Sequence, residues 1–377
     1  MIVAATVFSA VLVVAQAQTP SAAIALEQQG KLPEAEQTWK SVTAHNPSDA
    51  PAFASLGLVL SKEQKYTDAA SAYRKALALQ PKLPGVELNL GLAEFKQGHF
   101  QAAAAALRAA LAADPSSTQA RTLLGMSYYD TRQFGDAVKY LEPVAKSDPD
   151  NVELHRVLAQ SCLWAKNYPC ALAEFRHFLQ QSPDSGAAHI LTGEALDGLG
   201  RANEAIAEFE VAAKVSPGEP NVHFGLGYLY WKSQRYDEAR QEFERELSQD
   251  PTHSQALAYL GDIEWKNNHP EEAVAFLKRA LKADNKVRIA YIDLGAIYQQ
   301  QKNYKDAQAA LLRAVELDPA QPDAHYQLGR LYQTQGNAAS AEKELHKVRE
   351  LRDKADQSVL GKISSSPPAL NPSDEKR

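Results

Sequence analysis

The chain has 377 residues, of which 23% are charged and 45% hydrophobic, as in an ordinary globular protein. Its 40 basic and 46 acidic residues give a net charge of −6. That balance argues against a nucleic-acid partner, which requires a basic face to replace the counterions of the phosphates. Length alone would predict two or three domains.

The first predicted element is an uncharged, apolar stretch from Ile2 to Ala15. It has the length of a signal-peptide core and is too short for a comfortable membrane span. The small residues Ala15 and Ala17 suit a cleavage site, so residues 1–17 are predicted to be a signal peptide and the mature chain to begin at Gln18. We therefore expect an exported protein, periplasmic or extracellular, without a membrane span after cleavage. No lysine or arginine precedes the apolar run, which leaves a buried N-terminal helix and a cytoplasmic location as the alternative.

After this segment, prolines mark the chain at intervals of 34 residues. They are Pro47, Pro81, Pro115, Pro149, Pro183, Pro217 and Pro251, with Pro319 after twice that interval. The skipped position is Asn285, and Asn, Asp, Ser or Gln precedes each proline. Proline blocks the continuation of a helix and short polar residues favour turns, so each mark predicts a helix end.

Three other residue types keep the same register when each marker proline is counted as position 32. Position 8 is small in repeats two to ten: Gly57, Gly91, Gly125, Ala159, Gly193, Gly227, Gly261, Gly295 and Gly329. Position 20 is alanine in every repeat, from Ala35 to Ala341, and position 24 is bulky, from Trp39 to Leu345. Small residues permit two helices to pack closely, and a large residue one turn further fills the gap beyond them.

The pattern resembles the tetratricopeptide repeat, whose period is 34 residues. Ten repeats run from Gln18 to Asp353; the first has Ala23 where most of the others have glycine, and the eighth lacks its proline. The resemblance implies an all-α fold, a right-handed superhelical solenoid of antiparallel helix pairs over residues 18–354, in place of two or three domains. Residues 355–377 are polar and proline-rich, which predicts a disordered tail.

Both cysteines lie in the fifth repeat, where Cys162 and Cys170 flank the turn between its two helices. A metal site would need two more ligands, and His155 and His177 lie about two helical turns away along the chain. A redox pair has the tighter Cys-x-x-Cys spacing. Inward-facing residues near a helix–helix turn can approach within the about 7 Å between Cα atoms that a disulfide needs. Two readings stay open: a disulfide or two buried thiols.

Histidines recur at position 4, a spacing that suggests a metal ladder. They are His155, His189, His223 and His325. Equivalent positions of neighbouring repeats lie roughly 10 Å apart, too far for one metal ion to bridge, so packing residues with a polar edge are favoured. The sequence also lacks the GxxxxGK, HExxH and GxSxG motifs. We therefore expect no metal, no cofactor and no enzymatic activity.

The resemblance implies that the first helices line a concave groove, with positions 2, 5, 9, 12 and 13 pointing into it. In repeats two to ten these positions hold about twice as many aromatic residues as the 8% aromatic content predicts. They are Phe95, Tyr129, Trp164, Phe224, Tyr228, Trp231, Trp265 and Tyr326. Exposed aromatic residues are typical binding anchors, although some could instead wedge between helices as packing.

The charges at these groove positions are balanced in number. The bases are Lys62, Lys96, Arg156, Lys232, Lys266 and Arg330, and the acids are Asp130, Glu153, Glu194, Asp197, Asp262 and Asp323. Six of each give no reason to expect a strongly charged ligand. We take Arg156, Glu194, Asp197 and Asp262 as candidate ligand-binding residues beside the aromatic ones. The lysine and asparagine that form a carboxylate clamp in some relatives are absent from positions 5 and 9.

These features predict a scaffold that binds a protein or peptide partner, as an extended peptide or a helix, in an aromatic-lined groove. With a signal peptide, the expected setting is cell-envelope assembly or secretion. Because tryptophan faces also stack on sugars, the alternative is an envelope carbohydrate-binding module or an accessory subunit of a glycosyltransferase.

Overall fold

A computed structural model describes residues 19–364, with side chains through residue 354. The predicted signal peptide, residues 1–17, and residues 365–377 lie outside the described part. Within it, the chain is helical without strands, which confirms the all-α repeat fold. It divides into two compact units between Phe178 and Leu179.

Nine helices and most of a tenth belong to the described part of the first unit, and consecutive helices form the pairs that the repeats predict. They are α1 (Pro20–Gln28), α2 (Leu32–His45), α3 (Ala50–Lys62), α4 (Tyr66–Leu79), α5 (Val86–Lys96), α6 (Phe100–Ala113), α7 (Thr118–Asp130), α8 (Phe134–Ala145), α9 (Val152–Trp164) and α10 (Tyr168–Gln181).

The second unit continues the same alternation of first and second helices through its described residues. Its helices are α11 (Gly186–Gly198), α12 (Ala202–Val215), α13 (Val222–Lys232), α14 (Tyr236–Gln249), α15 (Ser254–Lys266), α16 (Pro270–Ala283), α17 (Arg288–Gln300), α18 (Tyr304–Leu317), α19 (Pro322–Thr334) and α20 (Ala338–Ser364). None of the helices in the described residues is long and apolar enough to cross a membrane.

The turns between repeats explain why the register survives the missing proline at Asn285. Asp250 lies just before Pro251, and its side chain accepts a hydrogen bond from the backbone N–H of Thr252, at 2.9 Å. Asp284 makes the equivalent bond to the N–H of Lys286, also at 2.9 Å, although no proline follows it. A side chain that caps its own turn stops the helix without proline, and α16 accordingly ends at Ala283.

Within each helix pair, the position-8 glycine lies directly against the large residue at position 24. A Cβ atom built on Gly125 in α7 would lie 2.5 Å from Cγ and Cδ2 of Leu141 in α8, and one on Gly227 in α13 would lie 2.8 Å from the Phe243 ring in α14. The position-20 alanines are buried, as Ala137 illustrates. The two helix backbones therefore approach as closely as the small residues allow.

The C-terminal boundary of the repeats differs from the prediction. Helix α20 continues to Ser364, so residues 355–364 are helical and not part of a disordered tail. The sequence has no proline from there until Pro367, and nothing else strong enough to end the helix intervenes.

The two cysteines are joined across the turn between α9 and α10. The Sγ atoms of Cys162 and Cys170 are bonded at 1.95 Å, and their Cα atoms lie 5.7 Å apart. Cys162 is fully buried in α9. Of the two readings left open by the sequence, the structure has the disulfide.

We expect Gly125→Ala to destabilise the protein by about 1–3 kcal/mol, because the added methyl group overpacks against the branch point of Leu141. The matched control is Gly135→Ala in the next helix, where a Cβ meets no atom within 4 Å and alanine favours the helix by about 0.5–1 kcal/mol. Urea unfolding midpoints of the two variants should move in opposite directions. Equal midpoints would contradict the close-contact model.

Reduction of the disulfide, or the double substitution Cys162→Ala and Cys170→Ala, should destabilise the protein by about 2–3 kcal/mol, as expected for a link that closes a short loop. Intact mass with and without reductant, on protein from its own host, measures the bond directly through two hydrogens. Adding reductant to the double variant is the control and should change nothing. A native mass that already contains both hydrogens would show two thiols instead.

Candidate functional site

In the first unit, three aromatic rings from α7, α8 and α9 meet beside an open cleft. Tyr129 stacks on Trp164 with ring centroids 5.8 Å apart, and Phe134 lies 4.8 Å from the Trp164 ring. The cleft of about 600 Å³ is lined by these three residues with Asp130 and Arg132. Trp164 remains 52% exposed. The structure therefore brings Tyr129 and Trp164, both predicted site residues, to one surface.

A chain of polar contacts fixes Tyr129 in place. Its hydroxyl donates to Oε1 of Gln160 at 2.6 Å, and Nη1 of Arg156 donates to the same oxygen at 3.1 Å. Arg156 also forms a two-pronged pair with Glu153, at 2.5 and 2.9 Å. That pair raises the pKa of Arg156 and lowers the pKa of the Glu153 carboxyl. Arg156 thus supports the aromatic wall, with its charge already neutralised.

Phe95, the third predicted residue of this unit, rests edge-on against Phe100 at 5.4 Å. Phe100 and Phe134 are both the first residue of a second helix, a position that the sequence prediction did not consider. An aromatic residue recurs there: Tyr66, Phe100, Phe134, Tyr168, Tyr236 and Tyr304. That periodic signal could have identified Phe134 as part of the cleft.

In the second unit, four predicted residues line one cavity of about 220 Å³. Glu194 and Asp197 come from α11, and Phe224 and Tyr228 come from α13. Asp197 accepts an ion-paired hydrogen bond from Nζ of Lys232 at 2.7 Å, which raises the pKa of Lys232. Glu194 has an exposed surface, yet the groove wall desolvates its charged form and raises its pKa.

Next to this cavity, Trp231 is held from two sides. Its Nε1–H donates to Oδ2 of Asp262 at 2.5 Å. Lys266 pairs with the same carboxylate oxygen, and its Nζ lies 4.9 Å from the centre of the Trp231 ring. The cation therefore sits between an aromatic face and a carboxylate, an arrangement that stabilises ammonium groups.

Tyr259, which the sequence prediction missed, links the aromatic residues of this unit. Its ring centroid lies 4.8 Å from that of Trp231, 5.6 Å from Tyr228 and 6.1 Å from Phe224. Burial raises the pKa of Tyr259 to about 12, with a further contribution from Tyr228. Tyr259 occupies position 6, outside the groove positions that the family resemblance implied.

Asp293, also at position 6, is a buried acid that the sequence prediction missed. It is 8% exposed, and its Oδ2 atom has no hydrogen-bond partner among the described residues. Burial raises the pKa of Asp293 well above its usual range, the charge of Asp262 raises it further, and Lys266 partly opposes both. The groove of this unit therefore contains a carboxyl group without its own cation.

The two remaining predicted residues do not join these clusters. Trp265 is half-buried and packs against the hydrophobic core formed by α15 to α18, which is the packing alternative that the sequence left open. Tyr326 is 42% exposed on α19 and makes no ring contact with another described residue.

Each position-4 histidine forms an ion pair with a glutamate 19 residues further along its own repeat. The Nδ1 to Oε2 distances are 2.6 Å for His155–Glu174, 2.6 Å for His189–Glu208, 2.7 Å for His223–Glu242 and 2.6 Å for His325–Glu344. The described residues contain no group of three or more His, Cys, Asp or Glu side chains that could hold a metal ion. The ladder thus joins the two helices of each pair.

The buried Asp293 predicts a pH dependence of stability. Between the ordinary aspartate pKa of about 3.9 and its raised value, the folded protein retains a proton that the unfolded chain has lost. Folding stability therefore decreases as pH rises through this window. Asp293→Asn should remove that contribution, so urea midpoints of the variant should exceed those of the wild type increasingly, by about 1–3 kcal/mol, from about pH 4 to 8.

The control for this series is Asp237→Asn, which removes an exposed carboxyl from the second helix α14. Its midpoints should run parallel to those of the wild type. Parallel profiles for Asp293→Asn as well would show that the Asp293 carboxyl titrates normally in the fold.

Family comparisons agree with the helix pairs. Two models described as tetratricopeptide repeat match residues 60–126, 94–161 and 198–245, and residues 21–84, 165–220 and 224–287. A third, described as TPR repeat, matches residues 295–336. A comparison with curated proteins gives no match.

Solved structures share the repeat. A chain of the Naa15/Naa10 complex bound to HypK-THB is 16% identical over 89% of this chain and 63% of its own, with a TM-score of 0.48. MamA is 22% identical over 44% of this chain and 96% of its own, and YrrB is 21% identical over 50% and 97%, both with a TM-score of 0.37. The chain thus spans less than two thirds of the first of these relatives. Because the family models match most of residues 21–336, the chain belongs to the tetratricopeptide repeat family.

Proposed function

We propose that this protein is a non-catalytic scaffold that holds a protein partner, as an extended peptide or a helix, against its first helices. The observation that carries the proposal is the exposed Trp164 ring at the wall of the cleft between α7 and α9. A tryptophan left half in water forgoes a large part of the free energy that its burial would provide. A partner that covers it recovers that free energy.

The cleft is built to present this ring in a fixed orientation. Tyr129 stacks on Trp164, and Gln160 and Arg156 hold the Tyr129 hydroxyl. A side chain that is already ordered loses little conformational entropy when a partner binds, so its contact area contributes more to affinity. Rigid aromatic residues at the centre of a contact are the usual hot spots of protein interfaces.

The proposed setting is the cell envelope or the extracellular space. It is supported by the apolar residues 2–15 with a cleavage-site pattern, and by the disulfide between Cys162 and Cys170, a bond that persists in oxidising compartments. The absence of the common catalytic motifs from the sequence supports a role without chemistry of its own.

The test is co-purification of the tagged full-length chain from the envelope fraction of its host, with partners identified by mass spectrometry and their affinity measured by calorimetry. Trp164→Ala should weaken binding of the main partner roughly tenfold or more. Leu79→Ala, which truncates an exposed apolar side chain on the second helix α4, is the matched control and should retain affinity.

Unchanged affinity of Trp164→Ala would exclude the cleft as the binding surface. Saturable binding to a glycan array that depends on Trp164, in the absence of any protein partner, would replace the scaffold by the carbohydrate-binding alternative.

A further inference from the structure

The cavity between α11 and α13 carries a carboxylate whose charge nothing in the protein neutralises. Asp197, at one side of the cavity, has Lys232 at 2.7 Å. Glu194, at the same cavity, forms no hydrogen bond and no ion pair with any described residue. It lies beside the Phe224 and Tyr228 side chains, which desolvate it without offering a donor. An acid in such surroundings is stabilised by a cation that enters from outside.

The same unit shows what a satisfied version of this arrangement looks like. One repeat pair further on, Lys266 places its ammonium group over the Trp231 ring while it pairs with Asp262. The Glu194 cavity has the corresponding parts, an aromatic wall and a carboxylate, but lacks the cation. Lys266 thus serves as an internal model for a bound lysine or arginine side chain.

Ion pairing along the first helices of this unit is uneven, although the groove charges are equal in number. Asp197, Asp262 and Asp323 each have a partner, respectively Lys232, Lys266 and Arg288. Glu194 and the buried Asp293 have none among the described residues. The one free groove cation of the described part of this unit, Arg330, lies on α19, four helix pairs from α11. The surplus charge near the cavity is therefore negative.

The size of the cavity limits what can occupy it. Its volume is about 220 Å³, below the roughly 300–1,000 Å³ that sites for small molecules occupy. That space accommodates a single long side chain. The tetratricopeptide groove beside it is open, so the remainder of the ligand can continue along the first helices.

We infer that the cavity of Glu194, Asp197, Phe224 and Tyr228 is a subsite for one lysine or arginine side chain of the partner, with Glu194 as its ion-pairing residue. The inference rests on the proposed scaffold function and gives it a sequence preference. The basic side chain lies with its stem against Phe224 and Tyr228 and its charged end on Glu194, while Lys232 keeps Asp197 occupied. The partner segment is therefore basic, and one of its cations is indispensable.

The probe is a display library of random linear peptides, selected on the full-length chain with its disulfide intact. Selected peptides should be enriched in arginine or lysine at one fixed position. Replacing that arginine by citrulline, which keeps the shape and removes the charge, should weaken binding about tenfold or more on the wild type and hardly at all on Glu194→Gln, since a close interfacial charge pair couples the two changes. Glu244→Gln, an exposed acid on the second helix α14, should retain the wild-type response.

Each outcome separates the inference from the function on which it rests. Selected peptides without a fixed basic position would overturn the basic subsite and leave the scaffold function standing. A citrulline effect of equal size on the wild type and on Glu194→Gln would place the cation elsewhere, which also overturns the assignment. A selection that yields no binding peptide counts against the scaffold function itself, and the subsite is then rejected with it.

Discussion

Every part of this protein depends on the close contact between position 8 of a first helix and position 24 of a second helix. Where Gly125 meets Leu141, a single added methyl group has no room, so the distance between the two helices is fixed by the glycine. A pair with fixed spacing presents the same positions of its first helix on the same side in every repeat. The aromatic and charged residues of the candidate site are ordered along the chain because this contact is repeated.

The fifth repeat is an informative exception to that contact. It has Ala159 at position 8, and it also contains the disulfide between Cys162 and Cys170. Cys162 lies one turn after Ala159 on α9, so the covalent bond ties together the same pair of helices whose closest approach lacks the glycine. Trp164 follows two residues later. The cross-link therefore steadies the end of α9 that presents the most exposed tryptophan of the described residues.

How much of this could be predicted follows from what is periodic. The helix pairs, their turns and the glycine contacts recur every 34 residues, and a skipped proline at Asn285 does not matter because Asp284 caps the turn alone. The groove residues were placed by their position in the repeat, which put Tyr129 and Trp164 together correctly but could not separate Trp231, which faces its neighbours' rings, from Trp265, which packs into the core. Pairing of charges is not periodic, so six acids and six bases looked balanced although Glu194 has no cation.

The unpaired acids have opposite consequences for stability and for binding. A buried carboxyl such as Asp293 lowers the free energy of unfolding at neutral pH, because the folded chain either retains its proton or holds an unneutralised charge. The same unneutralised charge favours any cation that arrives from a partner. Lys266 could in principle supply that cation, but it is already committed to Asp262 and Trp231. A groove in which three acids are paired and two are not therefore discriminates between partners: its paired acids give shape, and its unpaired acids select charge.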